Sequence, residues 1–170
     1  MKNVSRLMLV LLAYALAAFM PLSAERVWIS CNSYEGFVGL GASHEATAQI
    51  FYVTNLSEPT EDGLWDMEQA AGGGYTFRNV ATGQYLTFTT ERNGTVYKYM
   101  TLSETATTDN ELWTLENQDD GTVAVRSVAN TAYYWNLRLD GTYLLGAYAG
   151  SVRSNNERFT FHVVEQGPDP

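Results

Sequence analysis

The chain has 170 residues, of which 45% are hydrophobic and 17% are charged, so it is long and apolar enough to build one domain with its own core. Its formal net charge is -9, which argues against binding to nucleic acid or to an anionic membrane, because both are polyanions. The single cysteine, Cys31, excludes an intrachain disulfide, and we interpret it as a small buried apolar residue.

Residues 1–24 have the pattern of a secretory signal peptide. Lys2 and Arg6 form a basic start, and the apolar run LMLVLLAYALAAFM that follows is too short to span a bilayer comfortably. PLSA then offers a cleavage point after Ala24. An uncleaved anchor is the alternative. With this segment removed no membrane-spanning stretch remains, and we expect the protein to be secreted, periplasmic or held at the cell surface.

The rest of the chain consists of three similar segments. VWIS, YTFR and VAVR begin at Val27, Tyr75 and Val123, so that successive copies start 48 residues apart. Apolar and polar residues alternate within these runs, as in YTFRNV, which is typical of half-buried strands. Turn sequences such as ATGQ, RNGT, DDGT and LDGT separate the runs. Four short strands in each copy predict about twelve strands and almost no helix.

An aromatic residue closes each copy. Trp65, Trp113 and Phe159 follow one another by 48 and then 46 residues, in GLWDM, ELWTL and ERFTF. Three copies bury their apolar sides together when they close around a pseudo-threefold axis, which also removes the sheet edges. A β-sandwich is the alternative, but it gives no reason for three copies in register. We therefore predict an all-β protein: a β-trefoil of three pseudo-repeats of four short strands over residues 25–166, with residues 167–170 as a tail or the start of a linker.

Two stretches resemble a known family. NELWTL, at Asn110–Leu115, is similar to the Asn-Gln-x-Trp-Thr-Leu signature that closes each repeat of the ricin-type β-trefoil lectins. FRNVATGQYLTF, at Phe77–Phe88, resembles the stretch that opens the next repeat of that family and leads to its sugar site. The resemblance extends over residues 26–166. It implies a secreted or cell-surface module that binds carbohydrate without catalysis.

The chain departs from the family pattern at two positions in every copy. The glutamine of the signature is replaced by Gly63, Glu111 and Glu157. The aspartate that grips sugar hydroxyls in the family is matched by Gly39, Thr87 and Trp135, none of which is a carboxylate. These departures leave open a second function, a protein-interaction or structural module such as an adhesion accessory or a protease inhibitor. The loop we nominate for an inhibitor is NLSEPTEDG, at Asn55–Gly63.

The third copy has the best candidate sugar site, because YYWNLRLDGTYLLGAY at Tyr133–Tyr148 combines aromatic side chains with polar ones. Aromatic faces stack on the C–H side of a sugar, and planar polar groups bind its hydroxyls. If Tyr134 matches the core residue Leu86, Trp135 points outward and forms the platform. The predicted site residues are Trp135, Asn136, Arg138, Asp140, Tyr143 and Tyr148. The alternative is that the aromatic residues of this stretch pack in the core or at its rim.

Catalysis has little support in the sequence. His44, His162 and Cys31 lie far apart and form no recognisable nucleophile arrangement, and metal-ligand spacing is absent. We therefore expect no enzymatic activity, no metal and no cofactor. The expected partner is a glycan or glycoconjugate, with another protein or a neighbouring domain as a further candidate.

Overall fold

The computed structural model describes residues 24–33, 36–40, 50–53, 59–89, 97–137, 144–152 and 154–165. The predicted signal peptide up to residue 23 and the tail at 167–170 lie outside these residues. The strands are β1 Glu25–Cys31, β2 Phe37–Leu40, β3 Ile50–Val53, β4 Trp65–Gln69, β5 Tyr75–Asn79, β6 Tyr85–Phe88, β7 Tyr97–Ser103, β8 Trp113–Asn117, β9 Val123–Ser127, β10 Tyr133–Leu137, β11 Leu145–Ala149 and β12 Phe159–Val163. Three short 3-10 turns are the other regular elements in the described part of the chain, at Glu61–Gly63, Asp109–Glu111 and Asn155–Glu157. The prediction of an all-β protein is confirmed.

Six strands close into a barrel through antiparallel pairs. β1 pairs with β4, β4 with β5, β5 with β8, β8 with β9, β9 with β12, and β12 again with β1. The other six strands form the hairpins β2–β3, β6–β7 and β10–β11. Buried residues of these hairpins, such as Leu86 and Leu145, belong to the same apolar cluster as the barrel interior. This arrangement is the predicted β-trefoil.

The aromatic residue that closes each copy makes the same two strand pairings. Trp65 pairs with Val27 and Asn79, Trp113 with Tyr75 and Ser127, and Phe159 with Val123 and Cys31. All three aromatic side chains are fully buried. The two tryptophans also satisfy their indole N–H groups at equivalent carbonyls, because Trp65 Nε1 donates to Val38 O at 2.9 Å and Trp113 Nε1 donates to Leu86 O at 3.2 Å. The predicted threefold equivalence of these aromatics is confirmed.

Cys31 lies in the core as the sequence predicts. It is the last inward-facing residue of β1, and its Sγ lies 3.2 Å from Ser33 Oγ and 3.3 Å from Asn155 O. Burial raises the pKa of the Cys31 thiol, because a thiolate is poorly solvated there. The side chain therefore packs as a small buried group with its thiol beside polar atoms at the end of β1.

A longer turn in the third copy reverses the predicted faces of β10. In the second copy Arg78 pairs with Tyr85, whereas in the third copy Arg126 pairs with Tyr134, so the connection is one residue longer. Because side chains alternate along a strand, a shift of one residue exchanges the two faces. Trp135, and not Tyr134, therefore matches Leu86. The prediction that Trp135 points outward while Tyr134 lies in the core is wrong.

Trp135 is one of the central residues of the core. Its side chain has 0% exposure, and its ring centroid lies 5.1 Å from Phe77, 5.5 Å from Trp113 and 5.6 Å from Phe159. Its indole Nε1 is buried and has no hydrogen-bond partner among the described residues. Trp135 is thus a packing residue and cannot serve as a platform for a sugar.

Candidate functional site

The outer face of β9, β10 and β11 has a row of partly exposed side chains. Arg126 pairs with Tyr134, and Tyr134 pairs in turn with Tyr148, so the three side chains project from neighbouring strands on one face. We call Arg126, Tyr134 and Tyr148 the tyrosine row. Tyr148 is 39% exposed and is one of two large hydrophobic side chains that the described part of the chain exposes, Val163 being the other.

An ion pair closes one end of the tyrosine row. Arg126 Nη2 lies 2.8 Å from Glu116 Oε1, and the two side chains are 34% and 29% exposed. The Arg126 guanidinium carbon lies 5.9 Å from the centre of the Tyr134 ring, within the range of a cation–π contact. Burial raises the pKa of Tyr134, and the negative charge of Glu116 acts in the same direction. The positive charge of Arg126 acts in the opposite direction.

A glycine makes room for the other end of the row. A Cβ atom at Gly150 would lie 3.3 Å from Cε1 of Tyr148, so the Tyr148 ring packs against the Gly150 backbone. The φ angle of Gly150 is 154°, a value that glycine adopts readily and other residues rarely do. The glycine thus permits both the turn after β11 and the position of the Tyr148 ring.

Asn136 lies on the same face of β10, two residues after Tyr134, but it is only 8% exposed. Its Nδ2 donates to Glu157 Oε1 at 2.5 Å. The other carboxylate oxygen of Glu157 accepts from the backbone N–H of Ser154 at 2.9 Å and from its hydroxyl at 2.7 Å. Glu157 therefore caps the 3-10 turn at Asn155–Glu157 and holds Asn136 at the same time.

The corrected register also moves the position of the family's aspartate. Thr87 lies two residues after Tyr85, and Asn136 lies two residues after Tyr134. Asn136, and not Trp135, is therefore the residue of the third copy that corresponds to the family's aspartate. The third copy therefore has the amide of Asn136 at the position where the family resemblance places a carboxylate. The carboxylate that binds this amide belongs to Glu157.

The residues that replace the signature glutamine have structural roles in all three copies. Glu111 accepts from the backbone N–H of Thr108 at 3.0 Å and from its hydroxyl at 2.8 Å, as Glu157 does with Ser154. In the first copy a Cβ atom at Gly63 would lie 2.2 Å from the Phe37 ring. Phe37 therefore occupies space that a side chain at this position would need. Residues 61–63 of the loop nominated for a protease inhibitor form the first 3-10 turn. Residues 55–58 of that loop lie outside the described part of the chain.

The structure brings together two of the six predicted site residues on one face, Tyr148 and Asn136. Trp135 lies in the core, and Arg138, Asp140 and Tyr143 lie outside the described residues. Sequence reasoning missed Tyr134, Arg126 and Glu116. The signal that would have found them is the turn itself, since SVANTAYY has one residue more than NVATGQY between the paired positions.

A second surface pair lies on the outer wall of the barrel. Trp28 stacks on its cross-strand neighbour His162, with ring centroids 3.6 Å apart and planes at 7°. Ser30 Oγ lies 2.9 Å from His162 Nε2, and burial lowers the pKa of His162. In the described ranges, no group of three or more metal-ligating side chains converges, and no helix there is long and apolar enough to cross a bilayer.

Solved structures with the same fold come from proteins of several kinds. A mosquitocidal holotoxin superposes with a TM-score of 0.72 at 14% identity, over 84% of this chain and 17% of that chain. A GlcNAcα1-4Gal-releasing endo-β-galactosidase from Clostridium perfringens gives 0.69 at 13% identity, over 83% and 33%. A Macrolepiota procera ricin B-like lectin in complex with lactose gives 0.63 at 15% identity, over 82% and 96%. The chain thus spans a third or less of the first two proteins, and these low identities establish the fold alone.

No curated protein sequence matches the chain significantly. A family model, in contrast, matches residues 61–147, just over half of the chain, and describes a ricin-type beta-trefoil lectin domain-like domain. This segment runs from the first 3-10 turn into β11, and it contains Trp65, Trp113 and most of the tyrosine row. Together with the closed barrel and the three equivalent copies, the match shows that the chain belongs to the ricin-type β-trefoil lectin-like family.

Proposed function

We propose that this protein is a non-catalytic carbohydrate-binding module and that it holds a glycan on the tyrosine row of its third copy. The observation that carries the proposal is the exposed ring of Tyr148 beside Tyr134. The membership of the chain in a lectin-like family makes a sugar the most suitable ligand for this surface, and the M. procera lectin was solved with lactose bound.

The chemistry of the row suits a sugar ring. Tyr148 offers an aromatic surface on which the C–H face of a pyranose can stack. Tyr134 is the cross-strand neighbour of Tyr148 and provides a hydroxyl group for the hydroxyls of that sugar. Because the row is shallow and buries little of a ligand, we expect the binding of one site to be weak.

The signal-peptide pattern of the N-terminus supports a proposal about the cellular setting. A chain that begins with a signal peptide of residues 1–24 would meet glycans outside the cytoplasm. We therefore propose that the protein acts as a secreted, periplasmic or cell-surface module whose partner is a glycan or glycoconjugate.

A glycan array probed with the chain from residue 25 onward tests the proposal, with lactose as the first soluble ligand for titration. We expect Tyr148→Ala to weaken binding by about tenfold or more, because it removes the stacking surface. The melting temperature should change by less than about 4 °C, since the side chain is exposed.

Tyr85→Ala is the matched control. Tyr85 has the position of Tyr134 one copy earlier, but its neighbour on the next strand is Ser103 and not a second tyrosine. We expect this variant to bind as the wild type does. An empty array, or a Tyr148→Ala variant that binds as well as the wild type, would refute the proposed site.

A further inference from the structure

We propose that the Arg126–Glu116 pair forms a second sugar subsite, so that the tyrosine row takes a disaccharide or longer glycan and not a single sugar. The inference rests on the proposed function and adds the length of the ligand to it. Tyr148 would hold the first sugar, and the ion pair would bind hydroxyl groups of the next one.

The length of the row is the first argument. Tyr148, Tyr134 and Arg126 lie in register on three consecutive strands. Neighbouring strands are about 4.8 Å apart, so the row extends over roughly 10 Å from β11 to β9. This distance exceeds the width of one sugar ring, and a monosaccharide stacked on Tyr148 would not reach Arg126. A disaccharide laid across the strands would.

The hydrogen-bonding capacity of the ion pair is the second argument. A guanidinium has five N–H donors and a carboxylate has about four acceptor positions. The 2.8 Å contact between Arg126 Nη2 and Glu116 Oε1 uses one of each. The pair therefore keeps both donors and acceptors, which is what neighbouring sugar hydroxyls require, and hydrogen bonds to charged groups are stronger than neutral ones.

Preorganisation is the third argument. Arg126 is held against the face of Tyr134 and by its ion pair with Glu116. A ligand therefore meets side chains that are already ordered, and less conformational entropy is lost on binding. The pair is also only one-third exposed, so that its hydrogen bonds are partly shielded from water.

The second copy shows which parts of this arrangement are specific to the third. Arg78 and Tyr85 repeat the arginine–tyrosine neighbours. However, the next position in that row is Ser103, so the stacking surface of Tyr148 has no counterpart there. Arg78→Gln is therefore a matched control for Arg126→Gln.

The test is titration of the chain from residue 25 onward with galactose and with lactose. We expect the wild type to bind lactose about tenfold more tightly, the effect of one or two added charge-assisted hydrogen bonds. Arg126→Gln should bind lactose only as tightly as galactose and leave galactose binding unchanged. Tyr148→Ala should lose both sugars, and Arg78→Gln should retain the wild-type preference. Glu116→Gln, which leaves the guanidinium in place, provides a second variant if Arg126→Gln does not fold.

Two results would overturn the second subsite and leave glycan binding itself in place. One is a wild type that shows no preference for lactose over galactose. A wild type that binds neither of these sugars but binds other glycans on the array counts as the same result. The other is an Arg126→Gln or Glu116→Gln variant with the wild-type preference for lactose. A wild type that binds no glycan on the array overturns the proposed function itself.

Discussion

Trp135 and Phe159 stand edge to face in the core of the third copy, with ring centroids 5.6 Å apart and planes at 88°. In the other two copies the closing position holds a tryptophan, and its indole N–H donates to the backbone carbonyl of an aliphatic residue, Val38 for Trp65 and Leu86 for Trp113. The third copy reverses the sizes, with the smaller aromatic at the closing position and the tryptophan on β10. Because interiors are densely packed, we expect each change to compensate the other.

Trp135→Ala should destabilise the protein by about 3–5 kcal/mol, the usual cost of emptying a large aromatic site in a core. Equilibrium unfolding in urea measures this free energy. Tyr148→Ala, in an exposed residue of the neighbouring strand, is the control and should cost less than about 1 kcal/mol. Equal losses for the two variants would contradict the position of Trp135 in the core.

Exchange of the two residues tests whether their sizes compensate. Phe159→Trp should cost about 1–3 kcal/mol by overpacking, and Trp135→Leu should cost a similar amount through a cavity. The double variant recreates the pairing of Trp113 with Leu86. It should be more stable than the sum of the single changes by about 1 kcal/mol or more. Simple additivity in a double-mutant cycle would show that the two sites are independent.

Glu157→Ala should destabilise the fold by about 1–3 kcal/mol, because it leaves Asn136 Nδ2 and the Ser154 N–H without their acceptor. Glu157→Gln, the residue of the family signature, keeps one acceptor oxygen and should recover part of the loss. Glu104→Ala removes an exposed carboxylate and should have little effect. Thermal melts of the wild type and the three variants rank their stabilities. A Glu157→Ala variant as stable as the wild type would mean that the hydrogen bonds of Glu157 with Asn136 and Ser154 contribute nothing to stability.

His162 should make stability depend on pH. Burial holds its pKa in the folded state below the ordinary 6.5, so the unfolded chain takes up the proton first as the pH falls. The contribution of neutral His162 to the free energy of unfolding is fully present above about pH 6.5. It is lost progressively as the pH falls towards the lower pKa of His162 in the folded state. The stability of the wild type relative to His162→Gln should therefore decline between pH 8 and pH 5 in urea titrations. A constant difference across this range would contradict the effect of burial.

The number and spacing of the copies follow from local sequence alone. Each copy repeats its alternating run at Val27, Tyr75 and Val123 and its closing aromatic 36–38 residues later, so every copy has the same apolar face to bury. Three such faces are satisfied by one closed arrangement around a threefold axis. The fold, its three closing aromatics and the absence of long helix in the described residues were therefore predictable.

The tyrosine row was decided by tertiary structure. Whether Tyr134 or Trp135 faces solvent depends on the register of β10 against β9, and one extra residue in the preceding turn shifts that register. Glu116, Arg126 and Tyr148 are brought to Tyr134 from three other strands, and no short segment of sequence contains the four together. Local pattern determines which strands form, because it sets the alternation of each run. The pairing of strands that are distant in sequence determines which side chains meet, because packing of the whole core selects the register.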